Sequence, residues 1–232
     1  MFIEFIATTL EDALLIEQSG ANRIELVSAL TEGGLTPSHS LIEAVVNRVS
    51  IPVNVMVRPH SQSFCYSHDD FSIMKNDIRI IRSLGANGVV LGVLNEKHEV
   101  NQHILEELLR ECNGIEVTFH RAIDCTISPV QAAKILAQYK EITTILTSGG
   151  NNEFSSRLQT IQKMKTVCKH ISILVGSGLN TSNILSVHST VQTGHYHFGT
   201  AVRKNHSLIE GIHLEKAKEM VQILKDEERK SV

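Results

Sequence analysis

No stretch of this 232-residue chain reaches the ~20 consecutive apolar residues a membrane-crossing helix requires, so none is expected to span a bilayer. The opening segment 1–7 is short, has no basic leader and carries Glu4 in its middle; it reads as a first strand, export is not expected, and the predicted location is the cytoplasm. Cysteine is sparse. Cys65, Cys112, Cys125 and Cys168 show neither CxxC spacing nor the density of a disulfide framework, which suits reduced thiols. No basic stripe is interleaved with aromatics and the net charge is -3, so the electrostatic footprint of a nucleic-acid binder is absent. No linker, low-complexity run or shift of composition marks a second domain, and residues 1–232 are read as one. With 42% hydrophobic and 20% charged residues, the chain can bury a sizeable core.

What the chain does have is alternation. Short apolar runs predict strands at 2–6, 23–26, 53–57, 88–91, 115–119, 144–146, 171–175 and 195–198. Between them, capped amphipathic segments predict helices at about 9–19, 69–84, 102–111, 153–168, 181–187 and 213–225, with two more opening near Thr36-Pro37-Ser38 and at Ser128-Pro129. The tail from Asp226 onward reads as solvated. Two segments, Ser19–Leu26 and Leu84–Leu91, echo each other as helix end, glycine cap and strand. Eight units in 232 residues give roughly 29 residues each, the lean end for an α/β, TIM-type (β/α)8 barrel. The longest irregular stretches, 58–68 and 203–213, follow strands and are candidates for lids.

In such a barrel every strand aims its C-terminal end at one mouth, where residues far apart in sequence converge. That rule gathers Glu4, Glu25, Arg58, His120, Arg121, Asp124, Thr147, Ser148 and His197. Burying charged groups without partners costs several kcal/mol, so their convergence points to a site. Strand periodicity places Asn54, Met56 and Arg58 on one face, Thr118 and His120 on another, and His195 with His197 on a third, without saying which face is inward. The remaining nine histidines fall on helices or loops and read as solvated. Gly176-Ser177-Gly178 and Gly199-Thr200, after the last two strands, allow close backbone approach, and with Asn180 or Thr181 capping the next helix they predict an anion-binding corner. Cys65 and Cys125 lie on the mouth side, whereas Cys112 and Cys168 end helices at the opposite side.

Several motifs together resemble one known family: Gly20-Ala-Asn-Arg-Ile-Glu-Leu26, Glu32-Gly-Gly-Leu-Thr-Pro-Ser38, Arg58-Pro59, Phe64-Cys-Tyr-Ser67, Thr118-Phe-His-Arg-Ala-Ile-Asp124 and Leu146-Thr-Ser-Gly149. They are similar to those of the CutC copper-homeostasis family, over nearly the whole chain. The resemblance implies a cytoplasmic TIM-type barrel that binds copper and contributes to copper tolerance, with Glu25, Arg58, His120, Arg121, Asp124 and His197 around its site. One departure is His197-Phe-Gly-Thr200, where many relatives have His-Ser-Ser or His-Cys-Ser. Copper(I) prefers soft thiolate and thioether donors, so Cys65 and Cys125, with Met56 if it reaches the mouth, are the candidate metal ligands. The competing expectation is an enzyme acting on a small anionic or phosphorylated metabolite. There Glu25 or His120 would transfer protons, Arg58 and Arg121 would clamp the anion, and Asp124 would orient a partner. A variant places a divalent cation between Glu25, His120 and His197. A Schiff-base mechanism is disfavoured, because no lysine sits at a strand end. The expected partners are a metal ion or small anion, with neither nucleic acid nor membrane, and the expected assembly is a homo-oligomer, dimer or tetramer.

Overall fold

In the computed structural model, which describes residues 1–230, eight parallel strands close into a barrel in sequence order. They are β1 (Phe2–Ala7), β2 (Arg23–Leu26), β3 (Val53–Met56), β4 (Gly88–Leu91), β5 (Glu116–Phe119), β6 (Ile142–Thr147), β7 (Ser172–Val175) and β8 (His195–Phe198). The helices outside are α1 (Leu10–Ser19), α2 (His39–Val46), α3 (His68–Ser83), α4 (Gln102–Glu111), α5 (Pro129–Leu136), α6 (Phe154–Val167), α7 (Ile184–Val191) and α8 (Leu214–Lys230). The fold is the expected TIM-type (β/α)8 barrel. No helix among the described residues is long and apolar enough to cross a membrane.

The local chemistry explains most boundaries. Thr9 caps α1 by accepting from the Asp12 amide, and Gly20 ends it with φ 82°. Ser67 and Asp70 form a reciprocal capping box on α3, and Ser128 caps α5 with Pro129 just inside. Three expectations are corrected. Pro37 lies outside α2, whose cap is Ser38. The last helix, expected to end at 225, continues to Lys230 as α8, its last three residues exposed and Arg229 and Lys230 complementing the negative end of its dipole; Ser231 and Val232 lie outside the described residues. Asn180 and Thr181 do not cap α7, because Asn180 is used in a tight turn that accepts from the amide and hydroxyl of Ser182, and the helix begins only at Ile184.

The alternation left open in the sequence resolves cleanly. Ile3, Phe5, Ile24, Val55, Val89, Val117, Ile145, Ile173 and Tyr196 point outward into one large apolar layer between strands and helices. The opposite faces point into the barrel, where Ile6, Val27, Met56 and Val90 make a small apolar cluster. The rest of the interior is unusually polar. Glu4, Arg23, Glu25, Asn54, Thr118, Thr144 and His197 are all buried, where such barrels ordinarily stack branched aliphatics.

The two long loops are pinned rather than free. Arg203 is 1% exposed, forms an ion pair with Asp12 at 3.2 Å, and donates to the carbonyls of Glu210 (2.7 Å) and Ile6 (2.9 Å), tying the 203–213 loop to β1 and α1. Arg58 does the same for its own loop: Nη1 donates to the carbonyls of Glu32 and Gly34 at 2.9 and 3.2 Å, and its cation lies 4.8 Å over the Phe64 ring.

Candidate functional site

At the C-terminal end of the strands lies a cavity of about 420 Å³, lined by Glu25, Arg58, His120, Arg121, Asp124, Cys125, Ser177, Gly178, His197, Gly199 and Thr200 among others. All six residues predicted for the site therefore meet, as do four of the five predicted anion-binding residues. Gly176 is not in the lining, and its amide donates to the Thr147 carbonyl at 2.9 Å.

Strand register builds the floor. Glu4 is paired with Arg23 on β2 and with His197 on β8, and Glu25 is paired with Ile6 and Asn54. Arg23 Nε donates to Glu4 at 2.5 Å, and the other carboxylate oxygen of Glu4 lies 2.7 Å from His197 Nδ1. His197 Nε2 faces Glu25 at 3.8 Å. A chain of four buried groups thus runs Arg23, Glu4, His197, Glu25. Burial works to raise the Glu4 carboxyl, but Arg23 and then His197 overcome it and hold it at about 2. Glu4 is therefore a carboxylate, and His197 Nδ1 must be the protonated partner. Burial pushes Glu25 the other way, up to about 7; the Glu4 charge adds to this, while His197 and Arg23 partly oppose it. Burial alone would lower the His197 imidazole, yet Glu25 and Glu4 outweigh it and raise it. Because His197 and Glu25 face each other, a proton lost near neutrality belongs to the pair. Glu25 Oε1 is buried with no hydrogen-bond partner among the described residues.

His120 differs from His197. Its Nδ1 accepts from the Ala122 amide at 3.1 Å, so that nitrogen's lone pair is occupied. Burial, and then repulsion by Arg58, push its imidazole down to about 3. Its Nε2 is buried without a partner among the described residues. The ring is wedged between Phe64, centroids 5.1 Å apart, and the bare backbone of Gly92, where a Cβ would lie 2.4 Å from Nδ1.

Asp124 is saturated. It accepts from Thr147 Oγ1 (2.5 Å), Ser148 Oγ (2.8 Å), Arg121 Nε (3.0 Å) and the Ser148 and Gly150 amides, locking the turn after β5 to the loop after β6. Arg121, its side chain 48% exposed, keeps both terminal guanidinium nitrogens without a hydrogen bond among the described residues. Around the far rim, the amides of Ser177, Gly178, Gly199 and Thr200 likewise donate to no group among the described residues.

Among the described residues, one cluster of three potential metal ligands exists, Glu4, Glu25 and His197. One ligand atom of each lies within 4.8 Å of the others, but Glu4 is already bonded to Arg23 and to His197 Nδ1 while Glu25 faces the other imidazole nitrogen, so an ion here would have to displace the Glu4–His197 hydrogen bond. In neutral His120 the proton is on Nε2, which leaves no lone pair for an ion. A divalent cation between Glu25, His120 and His197 therefore finds at most one imidazole nitrogen and one carboxylate, short of the tetragonal set copper(II) uses. Of the thiols, Cys125 lines the cavity and Cys65 is exposed outside its lining; Met56 lines it. Cys112 and Cys168 are buried at the ends of α4 and α6, with burial raising their thiols to about 12 and about 11.

Comparison with known proteins places this geometry. The family model of CutC matches residues 1–201. The chain belongs to the CutC family. The family protein CutC of Proteus mirabilis is 39% identical over 174 residues, covering 75% of this chain and 69% of that protein. Its counterpart in Photobacterium profundum is 37% identical over 207 residues, covering 88% and 84%. The structure of CutC from Streptococcus agalactiae superposes with a TM-score of 0.80 at 27% identity, over 86% of this chain and 98% of that one. A dihydrodipicolinate synthase of Bacillus anthracis, 13% identical with a TM-score of 0.70 over 99% of this chain and 76% of its own, shares the fold alone.

Within this CutC chain the motifs have separate tasks. Glu32–Ser38 wraps the Arg58 guanidinium and supplies Thr36 Oγ1 to the Arg58 amide at 2.9 Å. The terminal nitrogens of Arg58 are thus spent on loop carbonyls, its buried Nε finds no acceptor among the described residues, and Arg121 keeps both of its terminal nitrogens to offer. Glu4, which the strand-end rule gathers at the mouth, is joined in the site by Arg23 and Gly92, which the sequence analysis did not single out. Arg23 shares the inward face with Glu25 two residues on, a signal present in the sequence. Gly92 carries none, since its place beside His120 follows from β4–β5 register.

Proposed function

We propose that the cavity is an acid–base catalytic site for a small anionic metabolite. The observation that carries this is Glu25: a carboxyl 3% exposed on the cavity floor, with one oxygen unpartnered and its proton held to about 7. A general base works best when its pKa lies near the operating pH, and Glu25 meets that condition. The Arg23–Glu4–His197 chain fixes the charge behind it. Arg121 and the amides of Ser177, Gly178, Gly199 and Thr200 supply donors for the anion, in the corner where such barrels commonly hold phosphate. The test is turnover of a panel of sugar phosphates and keto acids. Glu25→Gln should lower turnover by at least about 100-fold, while inorganic phosphate still binds. No turnover by the wild type, or full turnover by the variant, contradicts the proposal.

A second reading follows from soft donors in the same cavity. The Streptococcus agalactiae relative is named for copper homeostasis, and here the Cys125 thiol and Met56 thioether line the cavity, with Cys65 in the neighbouring loop. Both readings belong to a reducing cytoplasm. Copper(I) bound this way should be lost in a Cys65→Ser, Cys125→Ser double variant and retained in Cys112→Ser and Cys168→Ser. Unchanged affinity in the double variant removes it.

A further inference from the structure

We propose that His120 is an uncharged Nε2–H donor to a substrate carbonyl oxygen, and that the cavity performs enolisation of a phosphorylated hydroxycarbonyl compound. This deepens the acid–base reading above and rests on it.

Three geometric facts fix the role of His120. Its Nδ1 receives a backbone N–H, so in the neutral ring the hydrogen must be on Nε2. Nε2 is buried and has no acceptor among the described residues, in a side chain 4% exposed that lines the cavity. The ring cannot turn away, because Phe64 covers one side and the Gly92 backbone meets the other. The nearby Arg58 cation opposes an imidazolium, and the ring stays neutral across the physiological range. Such a group does not deliver a full proton. It stabilises negative charge that develops on oxygen, and it does so without reorganising.

The same cavity holds a base with a free carboxylate oxygen, Glu25. No lysine lines it, so carbonyl chemistry through a Schiff base has no nucleophile, and the Cys125 thiol is pushed up by burial and then by Asp124. A base and a neutral oxyanion donor together suit proton transfer at carbon. Glu25 takes the proton from the carbon beside the carbonyl; that C–H electron pair becomes the C=C bond, and the C=O π pair moves to oxygen beside His120 Nε2–H. The protonated Glu25 then returns a proton to the same face of the same carbon, giving hydrogen exchange with retention of configuration. Electrons balance within the substrate, and neither oxidant nor reductant is consumed. The phosphate falls to the amides at Ser177, Gly178, Gly199 and Thr200.

The experiment uses the whole protein with 15N-labelled histidine and 2-phosphoglycolate, whose carboxylate mimics the enolate. His120 should stay an Nε2–H tautomer from about pH 5 to 9, and its Nε2–H proton should move downfield on binding. An imidazolium, an Nδ1–H tautomer, or an Nε2–H resonance unmoved while the Gly178 amide responds overturns the role of His120 and leaves the anion site standing. Failure of 2-phosphoglycolate to bind at millimolar concentration overturns both. In deuterium oxide, dihydroxyacetone phosphate or ribulose 5-phosphate should gain deuterium beside the carbonyl. His120→Phe should slow this at least about 100-fold with phosphate affinity unchanged, and no wash-in from either compound overturns the enolisation.

Discussion

Two halves of one mouth use the same residue types to opposite ends. On the β5–β6 side, Asp124 is a buried carboxylate whose two oxygens accept from two hydroxyls, two amides and a guanidinium. On the β2–β8 side, Glu25 is equally buried, yet among the described residues one oxygen has no partner and the other meets only an imidazole at 3.8 Å. The first carboxylate is fully satisfied and holds two loops in register. The second is left unsatisfied, and the cost of burying it appears as a proton retained to about 7. What separates scaffold from chemistry here is how much of each carboxylate's hydrogen-bonding capacity the chain itself consumes.

The strongest way to break the contrast is to empty the satisfied side. Asp124→Ala strands buried donors of Thr147, Ser148 and Gly150 and should cost about 3–5 kcal/mol, read by urea unfolding. Next comes Glu4→Gln, which removes the anion between Arg23 and His197; a loss of about 3 kcal/mol at neutral pH is expected. Its pH dependence is specific. The carboxyl of Glu4 is held at about 2, below its ordinary 4.5, so it binds fewer protons folded than unfolded and its stabilisation, complete above 4.5, is lost as pH falls toward 2. The Gln variant should lack that acid limb. A smaller effect is expected of Gly92→Ala, whose methyl would meet the His120 ring; about 1–3 kcal/mol for overpacking, with His120 15N shifts displaced while Glu25 is unmoved. Smallest in stability is Gly178→Leu, at φ 78° with open space around the added Cβ. It should cost about 1–2 kcal/mol and abolish phosphate binding measured by calorimetry.

The barrel was legible because its grammar is local: β2, β4, β8 and α4 occur at the predicted residues, the last three bounded by a glycine or a cap. The C-terminal helix runs past its expected end at 225 because a run of charged residues carries no apolar period, whereas i,i+3 pairs such as Asp226 with Arg229 let α8 continue. Convergence at the mouth followed from the rule that strand ends share a face, and the six site residues do meet. Their division of labour did not follow. That Arg58 serves its loop, that Asp124 is saturated and that His120 and His197 carry different protons depend on which backbone and side-chain groups come within hydrogen-bonding reach, set by register and by turns the side-chain pattern does not encode.

The central claim is that Glu25, facing His197, keeps a proton to near neutrality while Glu4, on the other side of that imidazole, is ionised throughout. A 13C titration of the glutamate carboxyls, with Glu25 assigned by its loss in Glu25→Gln and His197 followed in the same samples, tests this directly. The account predicts a Glu25 midpoint at about 7, with Glu4 ionised throughout and the unfolding free energy falling as pH rises from 4.5 to about 7. The sign follows because the folded chain, with Glu25 raised, binds the extra proton in that window. A Glu25 midpoint at its ordinary 4.5, with stability flat across that range in both wild type and Glu25→Gln, would contradict it.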